Sequence, residues 1–229
     1  MRISVTIYAV VLALTAGVEP SSGQEAPGQE LYHVHFVKAA PGKLAALIDA
    51  ELKAPASPGQ TEPPLIFRHA QGDDWQLMII TPMGPQQTIR AEPPTAEMRQ
   101  YLSQVRGLSV RHDDTFTQGP PWAQARKILL GDGQPGAVYI VSAFEPVPGE
   151  REQLVKALRE GPNADPSAML ILQHREGAAW QVLTITRYPS WVGLGEAMQR
   201  QRTQAPGVPP SAQHTAGHRD TIVERVTAR

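Results

Sequence analysis

Short apolar runs alternate with polar, glycine-containing and proline-containing segments from about residue 32 to the end of the chain. In the first half, Tyr32–Val37 is rich in β-branched and aromatic residues, which predicts a strand. Lys43–Lys53 carries leucines and an isoleucine at helical spacing, which predicts a first helix. Leu65–Thr81 has two apolar stretches around a polar turn at Gly72, which predicts a hairpin, and Thr95–Arg106 predicts a second helix.

The same order of elements recurs in the second half. Val138–Phe144 predicts a strand and Arg151–Glu160 a helix. A hairpin with its turn at Gly177 follows, and then a helix over Ser190–Arg202. Ser190 is the expected N-cap because its hydroxyl can accept a hydrogen bond from a free backbone N–H of the first turn.

An internal repeat relates the two hairpins. Leu65–Thr81 aligns without gaps with Leu170–Thr186 at an offset of 170 − 65 = 105, and eight of the 17 pairs are identical. Downstream, His112–Phe116 matches His218–Ile222 at a nearly equal offset. Self-similarity at a fixed period indicates repeated structural units, so the chain is predicted to be a duplication of one unit of about a hundred residues.

A last strand in each unit carries the matched stretch His112–Phe116 or His218–Ile222. Each unit therefore reads β-α-β-β-α-β, which is the ferredoxin-like split motif. The predicted fold class is therefore α+β. Both helices of such a unit pack on one face of its sheet, so the other face must be buried elsewhere. A second copy in the same chain can cover it, which predicts two units packed sheet to sheet as an intrachain α/β barrel, self-sufficient as a monomer.

The pattern resembles the dimeric α/β-barrel superfamily, in which two ferredoxin-like units pack together. The stretch Trp180–Trp191, an apolar strand that leads through Tyr-Pro-Ser-Trp into a helix, is similar to the NIPSNAP and EthD-like branches. The resemblance extends from about Tyr32 to the end of the chain. The resemblance implies the barrel fold. It leaves the function open, because this superfamily includes monooxygenases, isomerases, haem proteins and simple binding proteins, and fold alone does not determine function.

The N-terminus has the pattern of a secretory signal. Met1-Arg2 supplies a positive charge, Ile3–Ala16 is a short apolar run, and Ser21-Ser22-Gly23 offers small residues for cleavage. We therefore expect a periplasmic or secreted protein that has no membrane segment after signal removal. The alternative is an uncleaved N-terminal anchor, although the apolar run is shorter than the roughly 20 residues of a comfortable span.

These observations divide the chain into four parts. A helix over Pro121–Leu130, ended by Gly131, is expected to connect the two units. The parts are the signal peptide at residues 1–23, the first unit at 24–118, a linker at 119–136 and the second unit at 137–229.

Composition excludes several functional classes. The formal net charge of −1 and the absence of basic runs argue against nucleic acid as a partner, because phosphate binding needs a basic stripe. The chain has no cysteine, so it has no disulfide, thiolate zinc site or cysteine nucleophile. It also contains no G-x-S-x-G elbow, no phosphate-binding glycine loop and no H-E-x-x-H motif. No metal site is assigned and the cofactor stays unknown.

Histidines and a carboxylate are predicted to converge in the first unit. His112 and Asp114 are two apart on a strand, as are His33 and His35, so each pair shares a face. The ferredoxin-like order places these two strands side by side. A carboxylate that orients an imidazole makes a general base or supports a metal ligand. The alternative is that the His-x-Asp stretch is merely exposed surface.

Further matched residues are candidates for ligand binding. His69 and His174 adjoin the hairpin turns, and the alternative role of each is a backbone hydrogen bond there. Trp75 and Trp180 are expected to open the second hairpin strands and either pack in the core or line a pocket. Three more candidates are Arg68, His218 and Asp220. Arg68 could bind an anionic group of a ligand if its face of the strand lines the barrel.

Together these features favour an exported protein whose barrel interior binds a small, partly apolar molecule. The enzymatic hypothesis is a monooxygenase or isomerase without an external cofactor, in which His112 with Asp114 is the base, helped by His33 or His35. The alternatives are a non-catalytic binding or structural module of the cell envelope, and a haem or metal protein with a histidine ligand. The sequence leaves open whether the protein is an enzyme.

Overall fold

The computed structural model describes residues 28–85, 93–133, 135–161, 165–176, 180–204 and 208–227. The predicted signal peptide lies outside these residues. The described strands are β1 (Glu30–Ala39), β2 (Leu65–Gln71), β3 (Leu77–Gly84), β4 (Ser109–Gly119), β5 (Val138–Pro146), β6 (Met169–Glu176), β7 (Val182–Tyr188) and β8 (Thr215–Arg225). The α-helices are α1 (Leu44–Glu51), α2 (Ala96–Arg106), α3 (Trp122–Leu130), α4 (Arg151–Glu160) and α5 (Trp191–Gln204), and a 3-10 helix covers Pro210–His214.

All eight strands belong to one antiparallel sheet. Their order is β1-β3-β2-β8-β5-β7-β6-β4, and β4 pairs in turn with β1. Each half contributes four adjacent strands in the same relative order, β4-β1-β3-β2 and β8-β5-β7-β6. The halves meet where β2 pairs with β8 and β4 pairs with β6. The predicted α+β class is confirmed.

Both faces of the sheet are covered. Alternate strand residues point to opposite faces. One face carries a single apolar core built by both halves, with fully buried residues such as Phe67, Met78, Leu172 and Val223. The other face is covered by helices: Leu47 of α1 packs in a cluster of the first half, and α4 packs in a corresponding cluster of the second. In β3, side chains of both parities are therefore buried.

Helix α3 packs into the central core, although residues 119–136 were predicted as a linker. Trp122, Ala125 and Leu129 are buried in the cluster shared by both halves. The hydroxyl of buried Tyr139 donates to the Leu129 carbonyl at 2.8 Å. The Trp122 backbone N–H donates to the Glu30 carboxylate at 2.9 Å, which places this helix at the start of β1. The segment is thus part of the folded core as well as a connection.

Local signals in the sequence placed most element boundaries within two residues of those in the structure. Helix α4 has the predicted bounds, and α1 is shorter by one residue at its start and two at its end. The Ser190 hydroxyl accepts from the Gly193 N–H at 3.1 Å, which confirms the N-cap. Helix α3 ends at Gly131, whose φ is +53°. Both tryptophans of the hairpins precede their strands instead of opening them. No described helix is long and apolar enough to span a membrane.

Candidate active site

The adjacent strands β1 and β4 bring His33, His35, His112 and Asp114 together. His35 lies opposite Asp114 in the strand register. His33 Nε2 is 3.0 Å from Asp114 Oδ1, in a hydrogen bond, and His35 Nε2 is 3.7 Å from the same oxygen. His112 Nε2 lies 3.4 Å from the other oxygen, Oδ2. One carboxylate therefore lies among three imidazoles, as the two-residue spacing predicted.

The cluster lies on the helix-covered face of the sheet and not on the face that carries the shared core. His33 and His35 alternate with Val34 and Phe36, which belong to that shared core. The expectation of a ligand in the barrel interior therefore does not apply to this cluster. Its imidazoles line a cavity of about 670 Å³ between the sheet and α2. The volume is that of a pocket for a small organic molecule.

The cavity walls are mostly apolar. Ile79 comes from β3, Phe116 from β4, and Met98 and Val105 from α2. The proline-rich connection between α1 and β2 supplies Pro55, Pro64 and neighbouring residues. The His33 ring packs against Phe116 with ring centroids 5.2 Å apart. Its polar lining includes Arg106 and Arg111 as well as the histidines. A partly apolar cavity with convergent polar groups is typical of a site for a small, partly apolar ligand.

The surroundings shift the pKa values of Asp114 and His35. Burial raises the pKa of Asp114, but the hydrogen bond from His33 and the nearby histidine charges outweigh it, so the net shift is downward and the carboxylate is ionised. Burial lowers the pKa of His35 to about 4, against the attraction of Asp114. His35 is therefore neutral at neutral pH, and its Nε2 is buried without a hydrogen-bond partner.

Among the histidines of this cluster, His33 is the one that is hydrogen-bonded to Asp114. Because ionised Asp114 can only accept, His33 Nε2 must donate, which leaves Nδ1 of a neutral His33 as the proton acceptor. The sequence paired His112 with Asp114, but that contact lacks hydrogen-bond geometry and the His112 side chain is 61% exposed. An oriented imidazole backed by a carboxylate is a competent general base.

Two residues that the sequence analysis missed line the same cavity. Glu51 ends α1 and is only 6% exposed, and the Tyr101 hydroxyl of α2 donates to its Oε2 at 2.7 Å. The other oxygen, Oε1, is buried without a partner. The signal was present in the sequence: Glu51 is four residues after Leu47, and therefore on the apolar face of the helix.

The second half lacks the equivalent imidazoles. Ser142 lies opposite Asp220 as His35 lies opposite Asp114, and Ile140 takes the position of His33. His218 Nε2 is 3.6 Å from Asp220 Oδ2, and both side chains are about half exposed. Both halves therefore carry a His-x-Asp stretch. In the first half, histidines of the neighbouring strand β1 face this stretch, whereas in the second half Ile140 and Ser142 of β5 take their positions.

The remaining candidates lie away from the cluster. Arg68 projects to the opposite face from buried Phe67 and forms an ion pair with Glu224 at 2.9 Å, so its strand face does not line the shared core. His69 contacts Trp75, and His174 contacts Trp180, with ring centroids 5.9 Å and 5.8 Å apart. The two tryptophans line a separate cavity of about 490 Å³ beside Phe36.

Within the part of the chain that the structure describes, no group of three His, Cys, Asp or Glu side chains is arranged to hold a metal ion. The three imidazole nitrogens converge on the Asp114 oxygens instead of on a common empty point. The contact between His33 and Asp114 suits proton transfer, since it is a hydrogen bond between an imidazole and the carboxylate.

Comparison with solved structures shows similarity over most of the chain. An anthrone oxidase-like protein superposes with a TM-score of 0.60 at 14% identity and covers 88% of this chain and 92% of its own. A candidate monooxygenase from Fusobacterium nucleatum subsp. nucleatum ATCC 25586 superposes with a TM-score of 0.57 at 7% identity, and the alignment covers 88% of this chain and 94% of that protein. A candidate monooxygenase from Lactobacillus acidophilus NCFM superposes with a TM-score of 0.52 at 10% identity, and the alignment covers 87% of this chain and 95% of that protein.

No known family model and no curated protein matches the sequence. At such low identities the likeness to solved structures concerns the fold alone. The chain has the α+β fold seen in these monooxygenase-like proteins.

Proposed function

We propose that this protein is an exported α/β-barrel oxygenase that oxidises a small, flat, partly apolar molecule with O2, without an external cofactor. The observation that carries the proposal is the His33–Asp114 hydrogen bond in an apolar-walled cavity of about 670 Å³. The names of the structural neighbours, candidate monooxygenases and an anthrone oxidase-like protein, agree with this class of reaction.

The proposed reaction begins with removal of a proton from an acidified carbon of the substrate. His33 takes the proton at Nδ1, and Asp114 stabilises the imidazolium that forms. The electron pair stays on the substrate as an enolate. The enolate reduces O2 and a C–O bond forms, which gives a peroxide anion that takes the proton back from His33. Loss of the remaining proton on that carbon breaks the O–O bond, so the carbon becomes a carbonyl and the second oxygen leaves as water. The balance is R2CH2 + O2 → R2C=O + H2O.

The proposal includes an origin by duplication. Each half has the strand order of a ferredoxin-like unit, and the hairpins repeat the same backbone hydrogen bonds: the His69 N–H donates to Gln76, and the His174 N–H to Gln181, both at 2.9 Å. Two such units form one eight-stranded barrel in a single chain. The second half, with Ile140 and Ser142 in place of imidazoles, retains the fold and leaves one catalytic site.

Anthrone is the probe for the proposed reaction because its ring methylene is flanked by aromatic rings and its ketone acidifies it. The assay follows O2 consumption and anthraquinone formation by the protein without residues 1–23, against a blank without protein. Asp114→Asn removes the carboxylate that orients His33 and stabilises its imidazolium, so it should lower kcat/KM by up to about 10²- to 10⁴-fold, the usual contribution of general-base catalysis. Asp220→Asn, the matched change in the second half, should leave it unchanged.

The outcomes separate the competing functions. Equal loss in Asp114→Asn and Asp220→Asn, or none in either, would refute the assignment of the base. Exchange of the anthrone methylene hydrogens with deuterated water, with no O2 uptake, would indicate an isomerase-like proton transfer. Binding of anthrone with neither reaction would favour a non-catalytic binding protein.

A further inference from the structure

The buried carboxyl of Glu51 is a polar group of the cavity that the proposed base does not use. It approaches the cavity from the helix layer, whereas His33 and Asp114 approach from the sheet. Its side chain is nine-tenths or more buried, one oxygen accepts from Tyr101 at 2.7 Å, and Oε1 has no partner. A buried polar atom without a partner is costly, so its presence beside a cavity points to a bound ligand.

The neutral carboxylic acid is the form that this environment favours. Burial raises the pKa of Glu51 and outweighs the opposing effect of the Tyr101 hydrogen bond. The pKa of Tyr101 is raised by burial and by the neighbouring carboxyl, so its hydroxyl stays protonated and donates. Because Oε2 accepts from Tyr101, Oε1 is the oxygen that carries the proton in the neutral form of Glu51, and in that form it is a hydrogen-bond donor.

We infer that Glu51, oriented by Tyr101, donates a hydrogen bond to a carbonyl oxygen of the substrate and thereby selects flat ketones whose acidic carbon is conjugated to that oxygen. The inference rests on the proposed function and specifies its substrate class. When His33 removes the proton, the negative charge moves through the rings to the carbonyl oxygen. A neutral donor positioned there stabilises the charge as it develops. An ionised carboxylate would repel it.

Ligand binding tests this inference without requiring turnover. The probes are anthraquinone, which carries ring carbonyl oxygens, and anthracene, which has the same three-ring skeleton without oxygen. Equilibrium dialysis gives the dissociation constant of each for the wild type, Glu51→Gln and Glu51→Met. Glutamine keeps a neutral donor at the same position, whereas methionine has similar length and no donor.

The expected result is a change in the ratio of the two affinities. Glu51→Met should reduce the preference for anthraquinone over anthracene by about tenfold, the value of one buried hydrogen bond, and Glu51→Gln should preserve it. The ratio is measured within one preparation, so partial unfolding of a variant lowers the binding capacity but leaves the ratio intact.

Three results would overturn the inference: an unchanged preference in Glu51→Met, an equal loss in Glu51→Gln, or no preference in the wild type. These are distinct from failure of the proposed oxidation. If wild-type protein prefers anthraquinone through Glu51 yet consumes no O2 with anthrone, the recognition site stands and the reaction is wrong. If anthrone is oxidised in an Asp114-dependent manner without the Glu51 effect, the reaction stands and the recognition is wrong.

Discussion

Acid should destabilise this protein through His35, whose imidazole is buried among charged neighbours. Burial lowers its pKa to about 4 in the folded state, from an ordinary value of 6.5. Asp114 and Asp113 raise the pKa and His33 and His112 lower it, but burial is the largest effect. Because the unfolded chain binds this proton more readily, the contribution of His35 to stability is complete above pH 6.5 and is lost progressively as the pH falls toward 4.

The size of the effect follows from the shift. Each pKa unit corresponds to about 1.4 kcal/mol, and about two units separate the ordinary value from a test pH of about 4.5. Protonation of His35 should therefore remove about 2.5 kcal/mol of the free energy of unfolding between about pH 7.5 and about pH 4.5. That is a large fraction of the 5–15 kcal/mol typical of a whole protein.

Urea unfolding followed by circular dichroism at the two pH values measures this loss. In His35→Gln the acid-induced decrease should be smaller than in the wild type by about 2.5 kcal/mol. Asp114 titrates at lower pH because its pKa is below the ordinary value, so its contribution is similar in both proteins. His218→Gln, which removes an exposed histidine from the second half, should retain the full decrease. Equal decreases in the wild type and His35→Gln would refute the argument.

Two further predictions concern the contact between the halves and export. Gly72→Ala should destabilise the protein by about 1–3 kcal/mol in the same unfolding assay, because the φ of Gly72 is +129° and a Cβ there would lie 2.5 Å from the Asp220 carbonyl oxygen of β8. The control is Gly195→Ala, which should not destabilise the protein because a Cβ at Gly195 would meet open space. Mass spectrometry of the protein from the periplasm or medium should find Gln24 at the N-terminus, and an intact N-terminus beginning at Met1 would contradict signal cleavage.

The order and type of the elements could be predicted because their signals are local. Helix α4, the Ser190 cap and the Gly131 terminus depend on residues within one or two helical turns. The meeting of His33 and Asp114 required one more step, the placement of β1 beside β4. The two residues of each pair, His33 with His35 and His112 with Asp114, could then be assigned to one face of the sheet, because side chains two residues apart on a strand point to the same face.

Only the tertiary structure decided which face of the sheet the cluster occupies. In β1, Val34 and Phe36 are buried in the shared core, while Val37 of the opposite parity is buried beneath helices. Because both faces are buried, hydrophobic alternation along the strand cannot distinguish them. The same limit applies to Glu51: its position on the apolar side of α1 was visible in the sequence, but its burial and its contact with Tyr101 depend on how α1 and α2 pack against one sheet. The sequence by itself determined the periodicity, the repeat and the residue types of the site, whereas the long-range packing of helices on strands decided which of those residues share a cavity.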